Sequence, residues 1–179
     1  MIKQGISENQ ANLIYIGIGS NLGNRVNNIE IAKFLILAYG IKIIQCSSYY
    51  ETLSWPNQYN PKFLNVGLII EYNHQHIKLL NEIKLIEKKL GRILTKKNDP
   101  RIIDIDIIDF NSVIEKTSKL ILPHPKCHLR NFVLFPILEI DPNWSHPILK
   151  KNAKYLIKKL SQKFRIEITR MQKNVNIQL

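Results

Sequence analysis

Short β-branched runs alternate along this chain with longer stretches whose apolar residues recur at helical spacing, and that succession limits the fold more than any other feature. Residues 13–18 form the first run, which leads into Gly17, Gly19 and Gly23, read as a glycine-rich turn. Over residues 25–39, Val26, Ile29, Ala32, Phe34, Leu35, Ile36 and Ala38 follow helical spacing, with Gly40 as a natural stop. A second strand is expected over residues 41–51, a third over 63–72, and a second helix over 74–90, closed by Gly91. Residues 102–108 supply a fourth strand, residues 131–140 a short apolar segment, and residues 148–160 a last helix, leaving residues 161–179 as an appendage. The order βαββαβ with a C-terminal helix predicts an α+β sandwich, its helices packed on a mostly antiparallel sheet.

The 179 residues suit a single domain with its own core, residues 1–12 and about 161–179 being peripheral extensions. No apolar run reaches membrane-spanning length and the first ten residues are polar without a signal core, so the expected address is the cytosol, with no membrane partner. Cys46 and Cys127 lie far apart without a C-x-x-C companion, which argues against a disulfide framework or a zinc site. A net charge of +12 invites a nucleic-acid reading. The chain is, however, rich in Ile, Lys and Asn, whose codons are A/T-rich, and its densest basic run, from Lys150 to Lys163, is spaced like the solvated face of an amphipathic helix. The aromatic strand segment of an RNA-recognition module is also missing, so no nucleic-acid partner is expected.

Asp104 and Asp106 stand one residue apart in the apolar stretch 102–108. On a strand they share a face, about 6.6–7 Å apart, where burial and mutual repulsion penalise both charges unless a cation neutralises them. A divalent ion that also brings phosphates is one remedy; an edge strand with one wet face is the plainer alternative. Arg92, Arg101 and Arg130, with Lys96 and Lys97, lie beside breaks in regular structure, and His124 is held between Pro123 and Pro125. Together these groups form the set that phosphoryl transfer needs: metal ligands, positive clamps and rigid positioning. The glycines do not make a dinucleotide fingerprint, because Leu22 stands where G-x-G-x-x-G requires glycine, and no P-loop occurs. Their simplest role is a tight turn with Asn21 shaping the loop.

The succession Gly19-Ser20-Asn21-Leu22-Gly23, Tyr50-Glu51-Thr52, Phe63-Leu64-Asn65, Ile86-Glu87, Gly91-Arg92, Pro100-Arg101-x-x-Asp104-x-Asp106, Leu122-Pro123-His124-Pro125 and Arg130-Asn131-Phe132-Val133-Leu134 resembles the 6-hydroxymethyl-7,8-dihydropterin pyrophosphokinases of folate biosynthesis. The resemblance implies a ferredoxin-like α+β fold and transfer of pyrophosphate from MgATP to the pterin hydroxymethyl group, with AMP as the other product. It implies two Mg²⁺ ions on Asp104 and Asp106, with Asp106 also a candidate acceptor of the hydroxyl proton. Arg92 and Arg101 would clamp phosphates, with His124, Arg130 and Glu87 completing the ATP site. Phe63 and Phe132 would sandwich the pterin, with Asn65 and Thr52 at its edge; a monomer is expected. The chain departs from the family pattern at Leu94, Asn98 and Asp99, and at Leu53, Ser54, Trp55 and Pro56, all in two loops flanking the site. A two-metal nucleotidyltransferase would use the carboxylates similarly but would release pyrophosphate instead of AMP.

Overall fold

A computed structural model describes residues 13–54, 57–93 and 99–171. The expectations attached to residues 1–12, Trp55, Pro56, Leu94, Lys96, Lys97 and Asn98 fall outside these residues. Strand β1 (Leu13–Ser20) leads to helix α1 (Arg25–Ala38), strands β2 (Lys42–Cys46), β3 (Tyr49–Thr52) and β4 (Phe63–Glu71), helix α2 (His76–Lys89) and strand β5 (Asp104–Phe110). A small hairpin of β6 (Glu115–Lys116) and β7 (Ile121–Leu122) precedes helices α3 (Asn131–Ile140), α4 (Ala153–Lys159) and α5 (Gln162–Ile166), and strand β8 (Ile168–Met171). The main sheet is antiparallel throughout, in the order β5-β1-β4-β3-β8, with β2 also pairing β4.

Alternation along the strands divides the core into two layers. Ile14, Ile16 and Ile18 of β1 turn to the same side as Leu64, Leu68 and Ile70 of β4. They pack against Ile29, Ala32 and Ile36 of α1 and Leu79, Ile83 and Ile86 of α2, each set recurring every three or four residues. Each fully buried Ile or Leu contributes about 1.5–3 kcal/mol by leaving water. On the other side, Tyr15, Ile69 and Ile108 meet Val133, Leu134 and Ile137 of α3 and Ala153 and Leu156 of α4. Helix α3 lies so close that a Cβ on Gly67 would come within 2.8 Å of the Pro136 Cβ. It covers only one half of this face, and the other half stays open.

Several local differences from the sequence reading have physical causes. The strand expected over 41–51 is two, because the Ser47 hydroxyl accepts the Gly67 N–H and the Ser48 N–H turns to Glu139 of α3 instead of continuing the ladder. Gly17 and Gly19 lie inside β1; only Gly23, at φ +63°, makes the turn. The apolar segment 131–140 is a helix despite Pro136. The helix expected from Ile148 begins at Ala153, capped by the Asn152 side chain, which accepts from the Tyr155 N–H at 2.8 Å. Part of the expected appendage is ordered as α5 and β8, the latter extending the sheet beside β3.

Candidate active site

The open half of the second face is a cleft of about 580 Å³ whose floor follows from strand register. Directly paired residues of antiparallel strands share a face, so Tyr50, Asn65, Gly19 and Asp104 form one row across β3, β4, β1 and β5. Gly67, Gly17 and Asp106 form the next row. With no side chain at Gly19, a trough runs between the Asn65 amide and the Asp104 carboxylate, two strand spacings or about 9.5 Å apart. A Cβ on Gly19 would come 3.0 Å from Asn65 Oδ1 and 3.4 Å from the Phe63 ring. Gly19→Ala is therefore expected to leave the melting temperature almost unchanged while weakening binding of a flat ligand in the trough at least tenfold, read by equilibrium titration.

The signal for the floor was present in the sequence as glycine at alternate strand positions, which reading the cluster as a turn overlooked. A bulge opposite Tyr15 and Ile16 adds Ile108 to β5, so that Asp109 faces the same side as Asp106. Buried Asp109 is tied up by the Trp144 indole N–H at 2.9 Å and the Ser112 N–H at 2.9 Å, and serves packing.

Cations surround the aspartate pair. Arg92 contacts Asp104 at 2.8 Å and also binds Glu87, and Arg101 Nε lies 3.7 Å from Asp104. Arg130 lies 3.5 Å from Asp106 and His124 Nε2 lies 3.9 Å from it. Burial raises both aspartates above the ordinary carboxylate range; Asp106 pushes Asp104 further up, and the arginines offset only part of this. The side chains are recessed among protein atoms yet keep 24% and 37% of their surface open to the cleft, where a ligand can reach them. Two hard oxygen donors on one face, flanked by arginines that can turn to phosphate oxygens, suit a divalent ion that brings such oxygens with it. Arg101 Nε is a buried donor without an acceptor, and a phosphate oxygen would satisfy it.

His124 follows the cis Leu122–Pro123 bond, and its N–H is anchored on Ile108 C=O at 2.8 Å. Its Nδ1 accepts from the Lys126 N–H at 3.2 Å, so in the neutral ring the proton sits on Nε2, facing Asp106. Burial, aided by Arg130, lowers its pKa to about 4. At neutral pH it is thus a hydrogen-bond donor without a charge. Glu87 is only 8% exposed, and burial raises its pKa to about 7 against the pull of Arg92 and the Ile105 N–H, which it accepts at 2.8 Å.

At the other end, the Arg101 guanidinium sits over the Phe63 ring at 5.6 Å and that of Arg130 over the Phe132 ring at 5.4 Å. The aromatic and phosphate-clamping candidates therefore adjoin one another. The Asn65 amide nitrogen donates to Tyr50 C=O at 3.3 Å and to Thr52 Oγ1 at 3.1 Å, leaving Oδ1 as its free acceptor. Asn21, 2% exposed, fastens the surrounding loops. It donates to Pro61 C=O and Ser54 Oγ, its Oδ1 accepts the Arg101 N–H at 2.7 Å, and its own N–H meets Arg101 C=O at 3.2 Å. Losing these side-chain bonds in Asn21→Ala is expected to cost about 2–3 kcal/mol in urea unfolding, because the Arg101 N–H loses its acceptor and Pro61 C=O and Ser54 Oγ lose a donor. All eleven candidate residues lie in or against the cleft: Glu87 reaches it through Arg92, and the rest line it. The sequence reading missed Gly17, Gly19, Phe164 and Glu167, which also line it.

Cys127, His128 and His146 bring three possible ligand atoms within 4.8 Å of one another behind α3. His146 Nδ1 accepts from the Ile148 and Leu149 N–H groups, so the neutral ring carries its proton on Nε2 and has no lone pair left for a metal. Burial also pushes the Cys127 thiol up to about 12. His146 packs edge-to-face on both His128 and Trp144, and Cys127 is part of the second core layer.

Comparison with known proteins decides the family. The profile of the 7,8-dihydro-6-hydroxymethylpterin-pyrophosphokinase family matches residues 15–142, which include every candidate site residue of the sequence reading. The chain belongs to this pyrophosphokinase family. It is 37% identical over 141 residues to the 2-amino-4-hydroxy-6-hydroxymethyldihydropteridine pyrophosphokinase of Aquifex aeolicus, covering 79% of this chain and 88% of that protein. It is 38% identical over 135 residues to the folic acid synthesis protein fol1 of Pneumocystis carinii, covering 75% of this chain but only 18% of that longer protein. The Plasmodium falciparum HPPK-DHPS structure superposes with a TM-score of 0.67 at 16% identity, over 92% of this chain and 49% of that one, a likeness of fold. The ferredoxin-like α+β sandwich expected from the pyrophosphokinase resemblance is thus the fold observed. Among the described residues, no helix is long and apolar enough to cross a membrane.

Proposed function

We propose that this chain transfers the β,γ-pyrophosphoryl group of ATP to the hydroxymethyl oxygen of 6-hydroxymethyl-7,8-dihydropterin, giving the pterin diphosphate and AMP in folate biosynthesis. The observation that carries this reading is the row Asn65, Gly19, Asp104: an amide acceptor and a carboxylate separated by an empty strand width that a bicyclic ring can span. A pterin lying there, between Phe63 and Phe132, with Asn65 Oδ1 and Thr52 at its edge, directs its hydroxymethyl group toward Asp104 and Asp106. Attack of that oxygen on the β-phosphorus breaks the bond to the α,β-bridging oxygen, which leaves with AMP.

Asp104 and Asp106 would hold two Mg²⁺ ions, which on binding supply the charge stabilisation this transfer needs. Arg92 and Arg101 take phosphate oxygens, Arg130 and neutral His124 donate from the side of Asp106, and Glu87 sets the direction of Arg92. The hydroxyl proton leaves to Asp106 or to water. The residues of a single chain suffice to assemble this site, and we read the protein as a monomeric cytosolic enzyme. Incubating the protein with ATP, Mg²⁺ and the pterin alcohol is expected to form AMP only when all three are present. Release of ADP or of free pyrophosphate would overturn the reading.

A further inference from the structure

Residues 143–171 lie beyond the matched family segment, yet α5 and β8 reach back to the pterin end of the cleft. Strand β8 pairs β3 with Ile168 opposite Thr52, the residue whose hydroxyl holds the Asn65 amide. The Asn131 amide donates to Phe164 C=O at 2.6 Å, tying α5 to the start of α3, one residue before Phe132. Phe164 and Glu167 both line the cleft. Of the three acidic side chains that line it among the described residues, Asp104 and Asp106 lie at the phosphate end, and Glu167, next to Ile168, lies at the Thr52 end. Among the described residues its ion-pair partner is the exposed Lys163, at 3.6 Å.

Resting on the function proposed above, we propose that Glu167 is a pterin-binding residue, its carboxylate receiving the donor edge of the 2-amino-4-oxopyrimidine ring while Phe164 borders it. That edge presents two adjacent donors, the ring N–H and the 2-amino group. With both amide hydrogens of Asn65 committed to Tyr50 and Thr52, Oδ1 can accept only part of this edge. A carboxylate with two oxygens supplies the missing acceptor, and ionised acceptors make the stronger bonds. The β8–β3 pairing fixes Glu167 relative to Thr52, so the extra strand acts as a positioning device.

The test is pterin-alcohol binding by Glu167→Gln, a variant of nearly the same shape at a partly exposed helix end. Binding is expected to weaken about 10- to 100-fold, the effect of one charge-assisted hydrogen bond, with the KM for ATP unchanged. An analogue lacking the 2-amino group should show a much smaller difference between the two proteins. Lys163→Ala, which removes only the ion-pair partner, should bind the pterin as well as the wild type does. Wild-type affinity in Glu167→Gln, or an equal loss in Lys163→Ala, overturns the assignment while leaving the proposed reaction intact. Failure of the wild type itself to bind the pterin overturns both.

Discussion

Replacing Asp106 by Asn is expected to lower turnover at least a thousandfold, about 4 kcal/mol of transition-state stabilisation, while making the metal-free protein more stable. The loss follows from removing one of two carboxylates proposed to hold the ions between chain and phosphates. The gain follows from the raised pKa of the pair, caused first by burial and, for Asp104, next by the charge of Asp106. A carboxyl whose folded pKa is raised holds its proton more tightly when folded than when unfolded. Its contribution to stability is full at low pH and is lost as pH rises through the raised value. The neutral amide escapes that loss, so at pH 7.5 Asp106→Asn should unfold at a higher temperature than the wild type. Without Mg²⁺, the difference between the two proteins should shrink toward acid pH. A variant both inactive and less stable would contradict the electrostatic account of the pair.

The second large effect is expected at Arg92, which joins buried Glu87 to Asp104. Arg92→Ala removes a proposed phosphate clamp, so kcat/KM should fall about 100- to 1,000-fold, and it leaves Glu87 without its cation. Breaking a buried pair from one side costs about 3 kcal/mol. Here the cost depends on pH. With Arg92 in place Glu87 titrates near 7, and without it higher still. At pH 5 Glu87 is neutral in both proteins and has little use for a cation; at pH 8 the wild type keeps it ionised and paired. Urea unfolding at the two pH values is therefore expected to show most of the destabilisation at pH 8. Equal losses at both would show that Arg92 acts through packing of its stem instead of charge.

The order of strands and helices up to β5 was legible because β1, β4 and β5, buried on both faces, stand out as short β-branched apolar runs, while α1 and α2 each bury one stripe at helical spacing. Helix α3 was not, because Val133, Leu134, Pro136 and Ile137 are buried while Pro136 imitates a chain break. The split between β2 and β3 depends on Glu139, distant in sequence, capturing the Ser48 N–H. The charged half of the site was readable because like charges one residue apart on a strand demand a reason. The floor was hidden because Gly17 and Gly19 act by lacking side chains, and their value appears only once Asn65 and Asp104 are placed on either side. Glu167 and Phe164 belong to a wall formed by sheet extension, for which no local signal exists.

The central claim is that Asp104 and Asp106 carry the metals of the reaction, and counting bound ions tests it most directly. Titration of Mn²⁺, followed by its paramagnetic resonance signal, into protein saturated with the pterin alcohol and a non-hydrolysable ATP analogue is predicted to reach two ions per chain in the wild type. Asp104→Asn and Asp106→Asn should each lose at least one of them. Two ions bound with wild-type affinity in either variant would contradict the claim.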